Sequence, residues 1–195
     1  MTISQAFFSG HPAGTGPAPG PGGSLAARDE LLHHMQTGFE RLFNPKASGA
    51  AARLERLAVA AFLATLHGEA DCSGHFQMLL QHADPSRGRV FRVVVAQARS
   101  ASRLGPYGAP LGGAARADDL DGPVYTASAD VREVLGDRLA AALEYAHLMY
   151  LHPDDATDAT QAELRKAGWA GKDAGTLASL VNFMGHMAHK VDKRR

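Results

Sequence analysis

The chain has 195 residues, enough for one well-buried domain or two small halves on a shared core, but too few for two domains with independent cores. Its 20 Lys+Arg balance its 20 Asp+Glu, so composition marks neither nucleic acid nor a membrane surface as a partner, and the closing KVDKRR reads as a solvated helix end. One cysteine excludes an internal disulfide framework and a Cys-rich zinc site, leaving an intermolecular bridge open. With no signal-like N-terminus and no apolar run near the roughly twenty residues of a spanning helix, the sequence predicts a soluble cytoplasmic protein.

Residues 1–23 hold SGHPAGTGPAPGPGG, too rich in Gly and Pro to keep a backbone ladder, and read as a flexible leader. Ser24 caps a helix whose Leu32, Met35, Phe39 and Leu42 follow the 3.6 period until Asn44-Pro45 stops it. A second helix spans about Ala50 to His67 and is apolar nearly all round through LAVAAFLATL, the mark of a central helix, with Gly68 at its C-terminal cap. A polar loop in HGEADCSGHF leads to a third helix, with Phe76, Leu79, Leu80 and Ala83 on one face, that ends at Asp84-Pro85. RVFRVVVAQARSASRL follows, and its Val90, Val94, Ala98, Ala101 spacing favours helix over strand despite three consecutive valines. These helices make a first half, 24–104.

A Gly/Pro-rich connection, 105–127, leads to a second half, 128–195, packed with the first as one domain. There Asp130 and Glu133 form a capping-box-like pair ahead of VLGDRLAAALEYAHLMYL, ATQAELRKA ends at Gly168, and a last helix carries Leu177, Leu180, Val181, Met184, Met187 and Val191 on one broad face. No strand pair with turn chemistry appears, so the predicted class is all-α, a bundle of six or seven helices.

Two stretches, RLERLAVAAFLATLHGEADCSGHF and LEYAHLMYLHPDDATDATQAELRKAGWAGKDAGTLASLVNFMGHMAHKV, resemble the AhpD-like, carboxymuconolactone-decarboxylase-like family, and the second is similar to the C-terminal half of its double-length members. The resemblance implies an AhpD-like helical fold, a homo-oligomer and peroxidase-related thiol chemistry in antioxidant defence. In peroxidase members a glutamate precedes C-x-x-C by about three helical turns and a histidine follows the second cysteine by four positions. One thiolate attacks the peroxide, the other thiol resolves the sulfenic acid, and Glu and His relay the proton. By position the resemblance puts Glu55 at the glutamate and His75 at the histidine. The cysteines do not follow: counting from Glu55 lands on His67 and Ala70, counting back from His75 lands on Gly68 and Asp71, and Cys72 falls between the registers with no resolving partner.

Each candidate residue has a functional and a structural use. Cys72, near a helix start with His75 three positions on, suits a one-cysteine peroxidase, or is a buried spectator. Glu55 is a base if it points inward, or one half of an ion pair with Arg53, Arg56 or a more distant arginine. His67 and His75 with Glu55 would offer a metal two nitrogens and one oxygen, yet histidines at helix ends also cap carbonyls; His186 and His189, three apart on one helix face, have a ligand spacing that also arises by chance among ten histidines, and no metal or cofactor is predicted. Glu144 and His147, with Tyr150, Tyr145 and Trp169 nearby, suit a ligand pocket between halves, or close a core edge. Three functions stay open: the thiol oxidoreductase, a decarboxylase-like acid–base enzyme acting on a small carboxylated or lactone substrate, and a non-catalytic helical oligomer that binds a small molecule.

Overall fold

The computed structural model describes residues 25–44, 50–68, 70–101 and 123–192. Among them all regular structure is helical. The α-helices are α1 (Leu25–Phe43), α2 (Ala50–His67), α3 (Ala70–Ala83), α4 (Gly88–Ala101), α5 (Ala129–Leu135), α6 (Asp137–Leu151), α7 (Asp158–Lys166) and α8 (Lys172–Asp192), with short 3₁₀ turns at Pro85–Arg87 and Pro153–Asp155. The all-α class read from the sequence is the observed one. No helix among the described residues is long and apolar enough to cross a membrane.

The chain falls into two compact units, Met1–Arg53 and Leu54–Arg195. The division lies inside α2 and not in the Gly/Pro-rich connection, most of which, like the leader 1–23 and the Ser24 cap, lies outside the described residues. In the first unit Phe39 and Phe43 touch one turn apart, with ring centroids at 4.7 Å, and Arg53 Nε donates to the Phe43 carbonyl at 2.9 Å. That bond gives a partner to one of the carbonyls a helix C-terminus leaves without one.

The second unit is built around the apolar run of α2. Every residue from Leu57 to Ala64 is at most 2 % exposed, which explains why this helix shows no polar face. α6 packs on α5, α7 and α8, while α4 packs on α3 and α5. α8 buries Leu177, Leu180, Val181, Met184 and Met187, as its periodicity predicts. α4 buries Phe91, Val94, Ala98 and Ala101. The predicted Val90 is half-exposed, and Phe91 takes its place because the larger ring removes more apolar area from water.

Three local readings need correction. HGEADCSGHF is not a polar loop leading to a helix at Gly74: α3 starts at Ala70, and Cys72 stands in its first turn. Cys72, His75, Phe76 and Leu80 are all buried along one face of α3, and that burial outweighs the roughly 1 kcal/mol that Gly74 costs inside a helix. The single helix read from Val134 to Leu151 is broken at Gly136, whose φ of 78° and ψ of 152° belong to a region only glycine visits readily. α5 is capped by Ser128, which accepts from Val131 N, and not by a box starting at Asp130. The reciprocal capping box is found at α7 instead, between Thr157 and Thr160.

Candidate functional site

Cys72 and His75 are three residues apart on α3, 7 % and 8 % exposed. Side chains at that spacing share a helix face, with Cβ atoms about 5–6 Å apart. Cys72 stands in the first turn, where the helix N-terminus presents backbone N–H groups. Burial lowers the pKa of His75, so its imidazole is neutral near pH 7. Its ring meets the edge of Phe76 at 5.6 Å. On the neighbouring face Ser73 Oγ lies 2.9 Å from Thr65 Oγ1 and accepts from Gln77 Nε2 at 2.6 Å, tying the start of α3 to the end of α2.

Glu55 is three helical turns away from that end of α2, and its carboxylate is committed elsewhere. Arg138 Nε donates to both of its oxygens, at 3.0 and 3.1 Å. The same guanidinium reaches Asp173 Oδ2 at 2.9 Å, donates to the Gly168 carbonyl, and stacks over the Trp169 ring at 4.2 Å, while Trp169 Nε1 donates to the Arg138 carbonyl at 2.8 Å. Burial works against the charge of Arg138, but its hydrogen bonds to Asp173 and Glu55 outweigh that and raise its pKa. The structure thus gives Glu55 the ion-pair role, with an arginine 83 residues away in place of Arg53 or Arg56.

His67 and Tyr150, assigned by sequence to two separate sites, meet in the structure: Tyr150 Oη lies 2.7 Å from His67 Nδ1. His67 is not joined to Glu55 and His75, and no three His, Cys, Asp or Glu side chains gather as a metal site among the described residues. His186 is exposed, its Nδ1 2.8 Å from the Asn182 carbonyl, and the side chain of His189 lies outside the described residues.

Glu144 and His147 both hold the extended 123–128 segment against α6. Glu144 accepts from Ala127 N at 2.7 Å and from Arg132 Nη2 at 2.7 and 2.6 Å. His147 is completely buried and accepts from Tyr125 N at 3.3 Å through Nδ1, with the Tyr125 and His152 rings at 5.7 and 5.6 Å. Burial, reinforced by His152, pushes the His147 pKa down to about 4. Burial and the nearby Glu144 charge raise that of Tyr125, whose hydroxyl donates to Gln97 Oε1 at 2.9 Å. A cavity of about 200 Å³ opens beside this segment. Glu144 and Tyr145 line it, but His147, Tyr150 and Trp169 do not.

Arg138, Arg132 and Tyr125 were missed by the sequence reading. Each acts across 12 to 83 residues of chain, and no local spacing signals such a partner. Comparison with protein-family models and with curated proteins found no match to this chain.

Proposed function

We propose that the chain is an AhpD-like protein, a peroxidase-related oxidoreductase that works through Cys72 alone. The observation that carries this reading is the buried Cys72–His75 pair at the start of α3. His75 accepts the thiol proton, and the thiolate sulfur attacks one oxygen of a hydroperoxide. The O–O bond breaks, sulfur becomes a sulfenic acid, and the leaving alkoxide takes the proton from His75 and departs as an alcohol. A low-molecular-weight thiol then attacks the sulfenic sulfur and releases water, and a second one returns Cys72 to the thiol and leaves as a disulfide. External thiols are required because the chain has no second cysteine.

The decarboxylase-like alternative loses support at Glu55, since acting as a base would break its pair with Arg138. A homo-oligomer and a reducing cytoplasm are part of the proposal and rest on the resemblance and on the lone thiol. The apolar run of α2 adds nothing to the oligomer, because it is buried within the chain. The test is mass spectrometry of the full chain treated with substoichiometric hydroperoxide and a sulfenic-acid trap. One adduct on Cys72 is expected, absent in Cys72→Ser and formed at least tenfold more slowly in His75→Gln. An unoxidised Cys72 under these conditions overturns the reading.

A further inference from the structure

We propose that the cavity beside the 123–128 segment binds a small primary amine carried on a single ring or short alkyl chain. This site is separate from the thiol and does not depend on the reading above: neither Cys72 nor His75 lines the cavity.

Size comes first. The volume is about 200 Å³, and an apolar cavity of about 150 Å³ is enough for benzene. One ring with a one- or two-atom substituent therefore fits, and a nucleotide or a fused-ring cofactor does not. The walls suit such a body, with Val124, Leu148 and Leu164 supplying aliphatic surface and Tyr145 an aromatic face. Val124 is also the one large apolar side chain exposed among the described residues, at 42 %. The apolar surface this unit leaves open is thus at the cavity, where a ligand would cover it.

Charge selects the head group. The ionisable groups of the lining are Glu144, Glu163 and two tyrosines, with no basic side chain. Arg132 neutralises Glu144 without lining the cavity, and with Ala127 N it uses three of the roughly four acceptor positions of that carboxylate. An ammonium donor can take the remaining one and pair with Glu163, whose exposed contact with Lys166 at 3.7 Å is weak enough to be shared. A carboxylate or phosphate ligand would instead face two carboxylates, with their cationic partners Arg132 and Lys166 outside the lining.

Calorimetric titration of the full chain with benzylamine and with benzoate tests this. Saturable one-to-one binding of benzylamine at millimolar concentrations is expected, with benzoate at least tenfold weaker. Ala141 lines the cavity, so Ala141→Leu fills it and is expected to weaken benzylamine at least tenfold. Glu163 is exposed, so Glu163→Gln leaves the fold intact and is expected to weaken it at least threefold. Failure of benzylamine to saturate, equal affinity for benzoate, or an unchanged isotherm in either variant overturns the proposal.

Discussion

Acid should unfold the second unit by charging His147. Its ring is completely buried, its Nδ1 accepts from the Tyr125 amide, and burial holds its pKa at about 4 against the 6.5 of an ordinary histidine. The folded pKa is below the unfolded one, so below pH 6.5 the unfolded chain takes up a proton that the folded chain refuses. Stability is therefore fully present above pH 6.5 and is lost as pH falls towards 4, after which this site adds no further slope. At 1.36 kcal/mol per pKa unit the loss is about 3 kcal/mol, a large share of the stability of an ordinary domain. Protonation also turns Nδ1 into a donor facing the Tyr125 N–H, so the lost hydrogen bond and the buried charge act together. The assay is urea unfolding followed by circular dichroism at pH 7, 6, 5 and 4.5 and constant ionic strength, on the wild type and on His147→Asn. Asparagine keeps an acceptor near the Nδ1 position and does not titrate. The variant should start less stable, since it leaves a void, and then lose about 2 kcal/mol less than the wild type between pH 7 and 4.5. Parallel pH profiles would refute the argument, because His75 and the carboxylates titrate alike in both proteins.

Arg138→Ala removes the pairs with Glu55 and Asp173, the bond to the Gly168 carbonyl and the stack on Trp169; because the guanidinium is a third exposed, the expected loss is about 2 kcal/mol in urea unfolding. Arg138→Lys should recover less than half of it, since an ammonium cannot span those partners. Gly136→Ala forces a side chain into a glycine-only backbone region and should cost about 1–3 kcal/mol, although the space beside it is open.

The all-helical class was legible because four helical periodicities and one helix apolar nearly all round left no strand alternative. α2 was read to its ends because Gly68 sits at φ 84°, a conformation glycine adopts at no steric cost, and its amide bonds the Thr65 carbonyl. The errors have one origin, the reading of helix starts from local residue preference. Gly74 and Ser73 look like loop residues, yet α3 runs through them because the face of Cys72, His75 and Phe76 is buried. Gly136 looks like a tolerated glycine inside a helix, yet it breaks one, because the chain turns there to carry Arg132 back to Glu144. Candidate chemistry was legible as residue types but not as partnerships. Glu55, His67, Glu144 and Tyr150 are all part of polar contacts, and each has a partner on a different element.

Two of those contacts repeat a single separation. Glu55–Arg138 and His67–Tyr150 are both 83 residues apart in sequence. The two contacts are twelve residues apart along each helix, about 18 Å at 1.5 Å per residue, so α2 and α6 run in the same direction with polar ties at matched heights. A charged pair at one end and a Tyr–His bond at the other penalise a slip of even one turn, since each would leave polar groups without their acceptors. The glutamate that the family resemblance associates with proton transfer, and the histidine standing twelve residues beyond it, are thus spent on alignment. Cys72 and His75, on α3, belong to neither tie. Lesions at Arg138 or Tyr150 should therefore lower stability while leaving thiol oxidation per folded molecule unchanged, whereas Cys72→Ser and His75→Gln should abolish or slow oxidation without loosening the α2–α6 pair.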